Sequence, residues 1–172
     1  RPLTVDANFW LSASDGAIAL VLKDDGGGVY RLDATRAGEE ISADLTVAEP
    51  AQGLLATIGG LPDLGAIDGR LSLRGPLRAP RTDLSLRAGP ARINGDGTIN
   101  WTDGTAALNL SIRAPAMTPA AGLSWDGIEA RGSLNGSLTA PAIEATVKIT
   151  SLSLGGASTR LITGTAHGTG GR

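Results

Sequence analysis

Over most of this chain, apolar residues fall at every second position. Leu3, Val5, Ala7, Phe9 and Leu11 alternate with Thr4, Asp6, Asn8, Trp10 and Ser12. Ile41, Ala43, Leu45 and Val47 alternate with Ser42, Asp44 and Thr46, and the same rhythm returns over 106–114 and 143–149. A strand turns successive side chains to opposite faces, whereas a helix repeats its apolar positions at intervals of three and four. The alternation therefore predicts an all-β chain of about ten or eleven short strands. They form a long meandering antiparallel sheet with one apolar and one polar face.

Turn residues separate the runs. Asp24-Asp25-Gly26-Gly27-Gly28, Asn94-Gly95-Asp96-Gly97 and Asp103-Gly104 all read as hairpin connections, because Asn-Gly and Asp-Gly accept the positive φ of tight turns. Residues 50–67 break the rhythm. Pro50 can open a short helix near 51–60 and Gly59-Gly60 can close it, with Leu54, Leu55 and Ile58 on one face. Residues 115–127, PAMTPAAGLSWDG, read as a second irregular connection.

The polar chemistry excludes more than it suggests. The 172 residues suffice for a single domain, and aromatics make up only 3%, so any core is aliphatic. A net charge of −2, without a basic run, argues against nucleic acid as a partner. There is no cysteine, hence no disulfide or thiolate site. No apolar run approaches the ~18 residues of a membrane-crossing helix. His167, the one histidine, has no evident partner, and no G-x-S-x-G nucleophile motif occurs. Gly164–Gly170 lacks the following helix that a phosphate cradle needs. Asp24, Asp25, Asn94 and Asp96 lack the spacing and closing Glu of a calcium loop and read as turns. The expectation is a protein with no catalytic residues, metal or cofactor. The first residues, Arg1-Pro2, and the last, Gly-Thr-Gly-Gly-Arg, read as cuts from a longer chain.

One frame occurs twice. Residues 71–87 and 132–148 share Leu73-x-Gly75-x-Leu77-x-Ala79-Pro80 and Leu134-x-Gly136-x-Leu138-x-Ala140-Pro141, each followed by an alternating run. Alternation alone also suits a β-sandwich, in which a second sheet covers the apolar face. A unit recurring at a fixed offset points instead to an extended array whose units pack on their neighbours.

That frame, together with LLATIGGLPDLGAIDGRLSLRGPL at 54–77 and LNLSIRAPAMTPAAGLSWDGIEARGSLNGSL at 108–138, resembles the C-terminal β-rich region of the TamB family. TamB is the translocation and assembly module subunit, within the AsmA-like superfamily. The resemblance covers most of residues 40–156. It implies one long sheet curled into a U-shaped trough (a β-taco), solenoid-like, with an aliphatic inner face, and a 1–172 segment of a periplasm-spanning protein. The parent would be anchored in the inner membrane by a segment absent from this chain. It would carry phospholipid between the two membranes of a Gram-negative cell. It would also support outer-membrane protein assembly and protein secretion with the outer-membrane barrel TamA, with nascent outer-membrane proteins as further partners.

On that reading the apolar phase faces acyl chains. The candidate residues are Ile41, Leu45, Val47, Leu71, Leu73, Leu84, Leu86, Leu108, Leu110, Ile112, Leu134, Leu138, Val147 and Ile149. Each CH₂ kept from water is worth about 0.8 kcal/mol, so a chain of about sixteen carbons gains on the order of 12 kcal/mol on such a face. The polar side chains are then free to vary while the frame recurs. Two other readings stand beside this one. A chaperone-like module would pair its sheet edge with unfolded outer-membrane proteins, and a structural β-sandwich or adhesin repeat would have a closed core.

Overall fold

The computed structural model describes residues 2–54, 57 and 64–169. They form eleven strands: β1 (Leu3–Leu11), β2 (Asp15–Asp24), β3 (Val29–Ala37), β4 (Glu40–Glu49), β5 (Ile67–Pro76), β6 (Arg81–Ala88), β7 (Ala91–Asn100), β8 (Thr105–Ala120), β9 (Leu123–Ser137), β10 (Ala140–Leu154) and β11 (Ala157–Thr169). All belong to one antiparallel sheet in the order β1 to β11, and it does not close. Such an open, single-layered sheet is consistent with a curled trough. Among the described residues no second sheet covers it, so the sandwich is not what this chain forms by itself. The accessible surface is 10755 Å², against about 7,800 Å² expected for a compact chain of this mass. The excess reflects a sheet with solvent on both sides.

The register keeps the alternation in phase from edge to edge. Leu20, Leu32, Leu45, Leu71, Leu84, Gly95, Leu110, Gly132 and Ala145 are successive cross-strand partners. A one-residue slip anywhere would throw the rest of this row onto the polar face. Two further apolar rows flank it.

Most hairpin connections are as expected. Asp24–Gly28 closes β2 to β3, with Gly28 donating its N–H to Asp24 Oδ1 at 2.6 Å. Asp103-Gly104 closes β7 to β8, with Gly104 at φ 60°. Two expectations need correction. Asn94-Gly95-Asp96-Gly97 is not a turn but the middle of β7, with both glycines in the apolar phase. Glycine is required at Gly97 because a Cβ there would collide with the Ala107 carbonyl oxygen. Residues 115–127 are not an irregular connection either. They are the end of β8 and the start of β9, joined by Ala121-Gly122, with a register shift between Met117 and Ala120. Half of the helix expected near 51–60, residues 55, 56 and 58–60, falls outside the described residues.

The repeated frame has a backbone explanation. Gly75 and Gly136 take φ of 107° and 96°, in the region that favours glycine, and a Cβ at either would meet nothing within 4 Å. Two residues further on, Leu77 N–H donates to Glu39 C=O at 2.6 Å, and Leu138 N–H donates to Gly104 C=O at 2.7 Å. Both bonds run from one hairpin turn to another on the same rim of the sheet. Gly38 to Ser14 (3.0 Å) and Trp101 to Arg78 (2.9 Å) complete the series. All five turns on that rim are thus laced together.

The opposite rim is stepped. Strands β8 to β10 run to 15 or 16 residues, while β1 to β7 have 8 to 10. β7 pairs with β8 only as far as Arg113, so Pro115–Ala120 has no β7 partner. That overhang carries Pro115 and Pro119, which lack an N–H for another strand. Trp125 is buried against it and donates Nε1–H to the Pro115 carbonyl at 3.0 Å.

Candidate functional site

The register places thirteen of the fourteen candidate residues on one face. The central row holds Leu45, Leu71, Leu84 and Leu110. On one side lies Val47–Gly69–Leu86–Ile93–Ile112–Ala130–Val147. On the other lies Ala43–Leu73–Thr82–Gly97–Leu108–Leu134–Ile143. Ile149, opposite Ile128, and Ile41, opposite Gly75, extend the face towards the two rims. Leu138 is the exception. It lies in the β9/β10 turn and is exposed. Its repeat position serves the lacing bond rather than the face.

Glycines in these rows accommodate the leucines beside them. A Cβ on Gly69 would stand 2.9 Å from Leu86 Cδ1, and one on Gly95 would stand 3.3 Å from Leu110 Cδ1 and 3.6 Å from Leu84 Cβ. Among the described residues the face is therefore packed sideways within one layer, with little above it. Leu45, Leu110 and Ile143 remain exposed. Two hydroxyls interrupt it. Thr82 Oγ1 and Tyr30 Oη are buried and have no hydrogen-bond partner among the described residues.

The opposite face is charged and ordered in rows of its own. Asp44 stands opposite Asp33 on β3 and Ser72 on β5. Arg70 and Arg74, flanking Ser72, reach it diagonally at 2.6 and 3.3 Å. The hydrogen bond from the Arg70 guanidinium holds the Asp44 carboxyl below the usual carboxylate range. The charges of both arginines and the Arg74 hydrogen bond add to this, and partial burial opposes it. Such diagonal pairs offset the repulsion of two carboxylates set face to face.

A groove of about 710 Å³ runs along this polar face from β5 to β11. Arg70, Ser85 and Arg131 come from one row lining it, Asp83, Glu144 and His167 from the next. The backbone of Gly95 and Gly132 forms part of the floor. Alternation told only that these positions are polar, and nothing in it signalled a groove. His167 Nδ1 stands 4.0 Å from Glu144 Oε1. Among the described residues no three His, Cys, Asp or Glu side chains are grouped to hold a metal ion.

The arrangement defines a class: an open, single-layered antiparallel sheet with one aliphatic and one charged face. Compared with family models, with curated proteins and with solved structures, the chain matches none.

Proposed function

We propose that the chain is a segment of a TamB-like conduit in which phospholipid acyl chains lie along the aliphatic face. The observation that carries this reading is the continuity of that face. Among the described residues, three apolar rows cross the sheet without a slip of register and without a second layer over them. A contiguous apolar surface left open to water in this way marks an interaction site. A uniform aliphatic lane holds a hydrocarbon chain without favouring one spot, so bound lipid can slide. The reading assigns no catalytic step and no cofactor. In it the parent protein spans the periplasm from an inner-membrane anchor. It works with TamA at the outer membrane in protein assembly and secretion.

The test compares the two faces directly. A photo-cross-linking amino acid is placed at Leu86 or Val147 on the aliphatic face, and at Ser85 or Thr146, which line the polar groove. Phosphatidylethanolamine vesicles are supplied and the adducts identified by mass spectrometry. Adducts at Leu86 and Val147, absent at Ser85 and Thr146, support the conduit. Adducts confined to Ser85 and Thr146, or none at all, overturn it.

A further inference from the structure

We propose that Asp24 and Glu49, with the Tyr30 hydroxyl from the strand between them, form a calcium site at the stepped-rim end of the aliphatic face. The inference stands apart from the conduit reading and rests on where the strands place these oxygen atoms.

The apolar phase of β2 runs Ile18, Leu20, Leu22 and ends on Asp24. That of β4 runs Ile41, Ala43, Leu45, Val47 and ends on Glu49. The two carboxylates share one row. Asp24 donates its N–H to the Gly28 carbonyl at 3.0 Å, and the Val29–Ala48 pair sets Gly28 beside Glu49. The row continues through Ile67 and Ala88, both buried. Only β3 separates the carboxylates, and at Gly28 it offers no side chain. Two strand spacings put their Cα atoms about 10 Å apart. Two oxygens bound to one Ca²⁺ lie at most about 5 Å apart, and the two side chains supply the remaining reach.

The corner is buried, with Asp24 7% and Glu49 3% exposed. Asp24 leans over β3. A Cβ on Gly28 would stand 3.0 Å from Asp24 Oδ1 and 3.2 Å from Oδ2. Oδ1 accepts the Gly28 N–H at 2.6 Å. Oδ2 of the same carboxylate is buried and has no hydrogen-bond partner among the described residues. Tyr30, two residues beyond Gly28 on the same face, carries a second such oxygen, Oη. Glu49 packs against Gly53, where a Cβ would stand 2.6 Å from Oε2.

Two buried carboxylates carry a heavy desolvation cost unless cations or hydrogen bonds offset it. Lys23 and Arg31, beside Asp24 and Tyr30 in sequence, belong to the polar phase and turn to the other face. Buried polar atoms without a protein partner are satisfied by an ion or by water. The donors here are all hard oxygens, which suits Ca²⁺ or Mg²⁺ and not zinc. Mg²⁺ demands near-ideal octahedral ligation and keeps several waters, so a recess among aliphatic side chains favours Ca²⁺. The two carboxylates balance its charge. Among the described residues no third acidic side chain joins them, so carbonyl oxygens and water complete the shell and the affinity is modest. The Asp24–Gly28 turn has no closing glutamate of its own, and β4 brings one to it across the sheet.

Melting the chain in EDTA, in CaCl₂ and in MgCl₂ tests the site. Ca²⁺ should raise the melting temperature saturably, with a Kd on the order of 10⁻⁴–10⁻³ M, and Mg²⁺ at the same concentration should not. Asp24→Asn keeps the acceptor for the Gly28 N–H and should fold, yet lose the rise. In EDTA it should melt above the unmodified chain, because one of two buried charges is gone. Glu49→Gln should lose the rise as well. Tb³⁺ takes the place of Ca²⁺ and emits when excited through a nearby tyrosine, and Tyr30 is the only one in the chain. It should light up on the unmodified chain, be displaced by Ca²⁺ and stay dark on Asp24→Asn, a readout that serves should Glu49→Gln fail to fold. A melting temperature indifferent to Ca²⁺ overturns the proposal and leaves water to satisfy Asp24 Oδ2. So does an equal response to Mg²⁺. A response that survives Asp24→Asn also overturns it and moves the ion to surface carboxylates such as the facing Asp83 and Asp96.

Discussion

Leu77 and Glu39 lie in different hairpin turns, yet a 2.6 Å hydrogen bond from the Leu77 N–H to the Glu39 carbonyl joins them. Leu138 and Gly104 repeat the relationship at 2.7 Å. Turn amides ordinarily exchange quickly with solvent, since loops sit at the low end of local stability. The amides of Gly38, Leu77, Trp101 and Leu138 should exchange on the order of tenfold or more slower than other turn amides. Hydrogen exchange read by nuclear magnetic resonance checks this, and fast exchange at all four would mean that the rim is not laced in solution.

The glycines of the frame should resist replacement for a reason unrelated to space. Gly75→Ala and Gly136→Ala should each cost about 1–2 kcal/mol, the penalty for an L-residue in a left-handed backbone region. Their surroundings offer ample room. Thermal melting measures the cost, and a neutral result at both sites would show that the turns relax.

Thr82→Val should leave the stability unchanged or raise it by about 1 kcal/mol. The two side chains have the same shape, and the hydroxyl removed is buried without a partner among the described residues. A clear loss in a denaturant titration would mean that this hydroxyl is satisfied in solution.

Asp44 should make the sheet sensitive to acid. Its folded pKa is lowered from the ordinary value of 3.8, chiefly by the Arg70 hydrogen bond. Its contribution is fully present above that ordinary value and is lost as pH falls through the lowered one. Asp44→Asn should flatten the difference in melting temperature between neutral and strongly acidic solution. Since the site is exposed, the effect is small. Parallel melting curves for the two proteins across that range would show that the clamp adds nothing.

Leu86 and Val147 share one aliphatic row, and Ser85 and Thr146 point to the other face. Changing Leu86 and Val147 together to Asp should abolish lipid binding, because an ion among aliphatic groups costs several kcal/mol even after relaxation. The same change at Ser85 and Thr146 should leave binding intact. Melting curves separate the causes, since an open face can hydrate the new charges and keep the sheet folded. Intact lipid binding by the Leu86/Val147 variant would exclude that row from any lipid path.

The alternation of Leu3–Leu11, Ile41–Val47 and Ala106–Ala114 made the sheet and its two faces legible, because side-chain period is a direct readout of strand geometry. Turn chemistry was less reliable. Gly97 sits in a strand because the Ala107 carbonyl leaves no room for a Cβ there, whereas the turn glycines Gly75 and Gly136 are set by their positive φ and have room to spare. Pro115 and Pro119 read as breaks in a strand, whereas they mark a stretch that needs no further partner. The role of Trp125 depends on the step in the rim, which arises from strand lengths that no local pattern encodes. The polar groove was illegible for the same reason, since it forms from residues on seven strands brought together only by the register.

The laced rim also makes the molecule modular in length. Equivalent frames occur four strands apart, at β5/β6 and β9/β10, and each strand adds about 4.8 Å to the width of the sheet. An insertion or deletion of one whole hairpin would change the span by about 10 Å. It would bring its own turn to the rim and leave the rows in phase. A gene encoding such a sheet can therefore be tuned as a ruler in fixed increments, whereas the loss of a single residue within a strand would misalign every row beyond it.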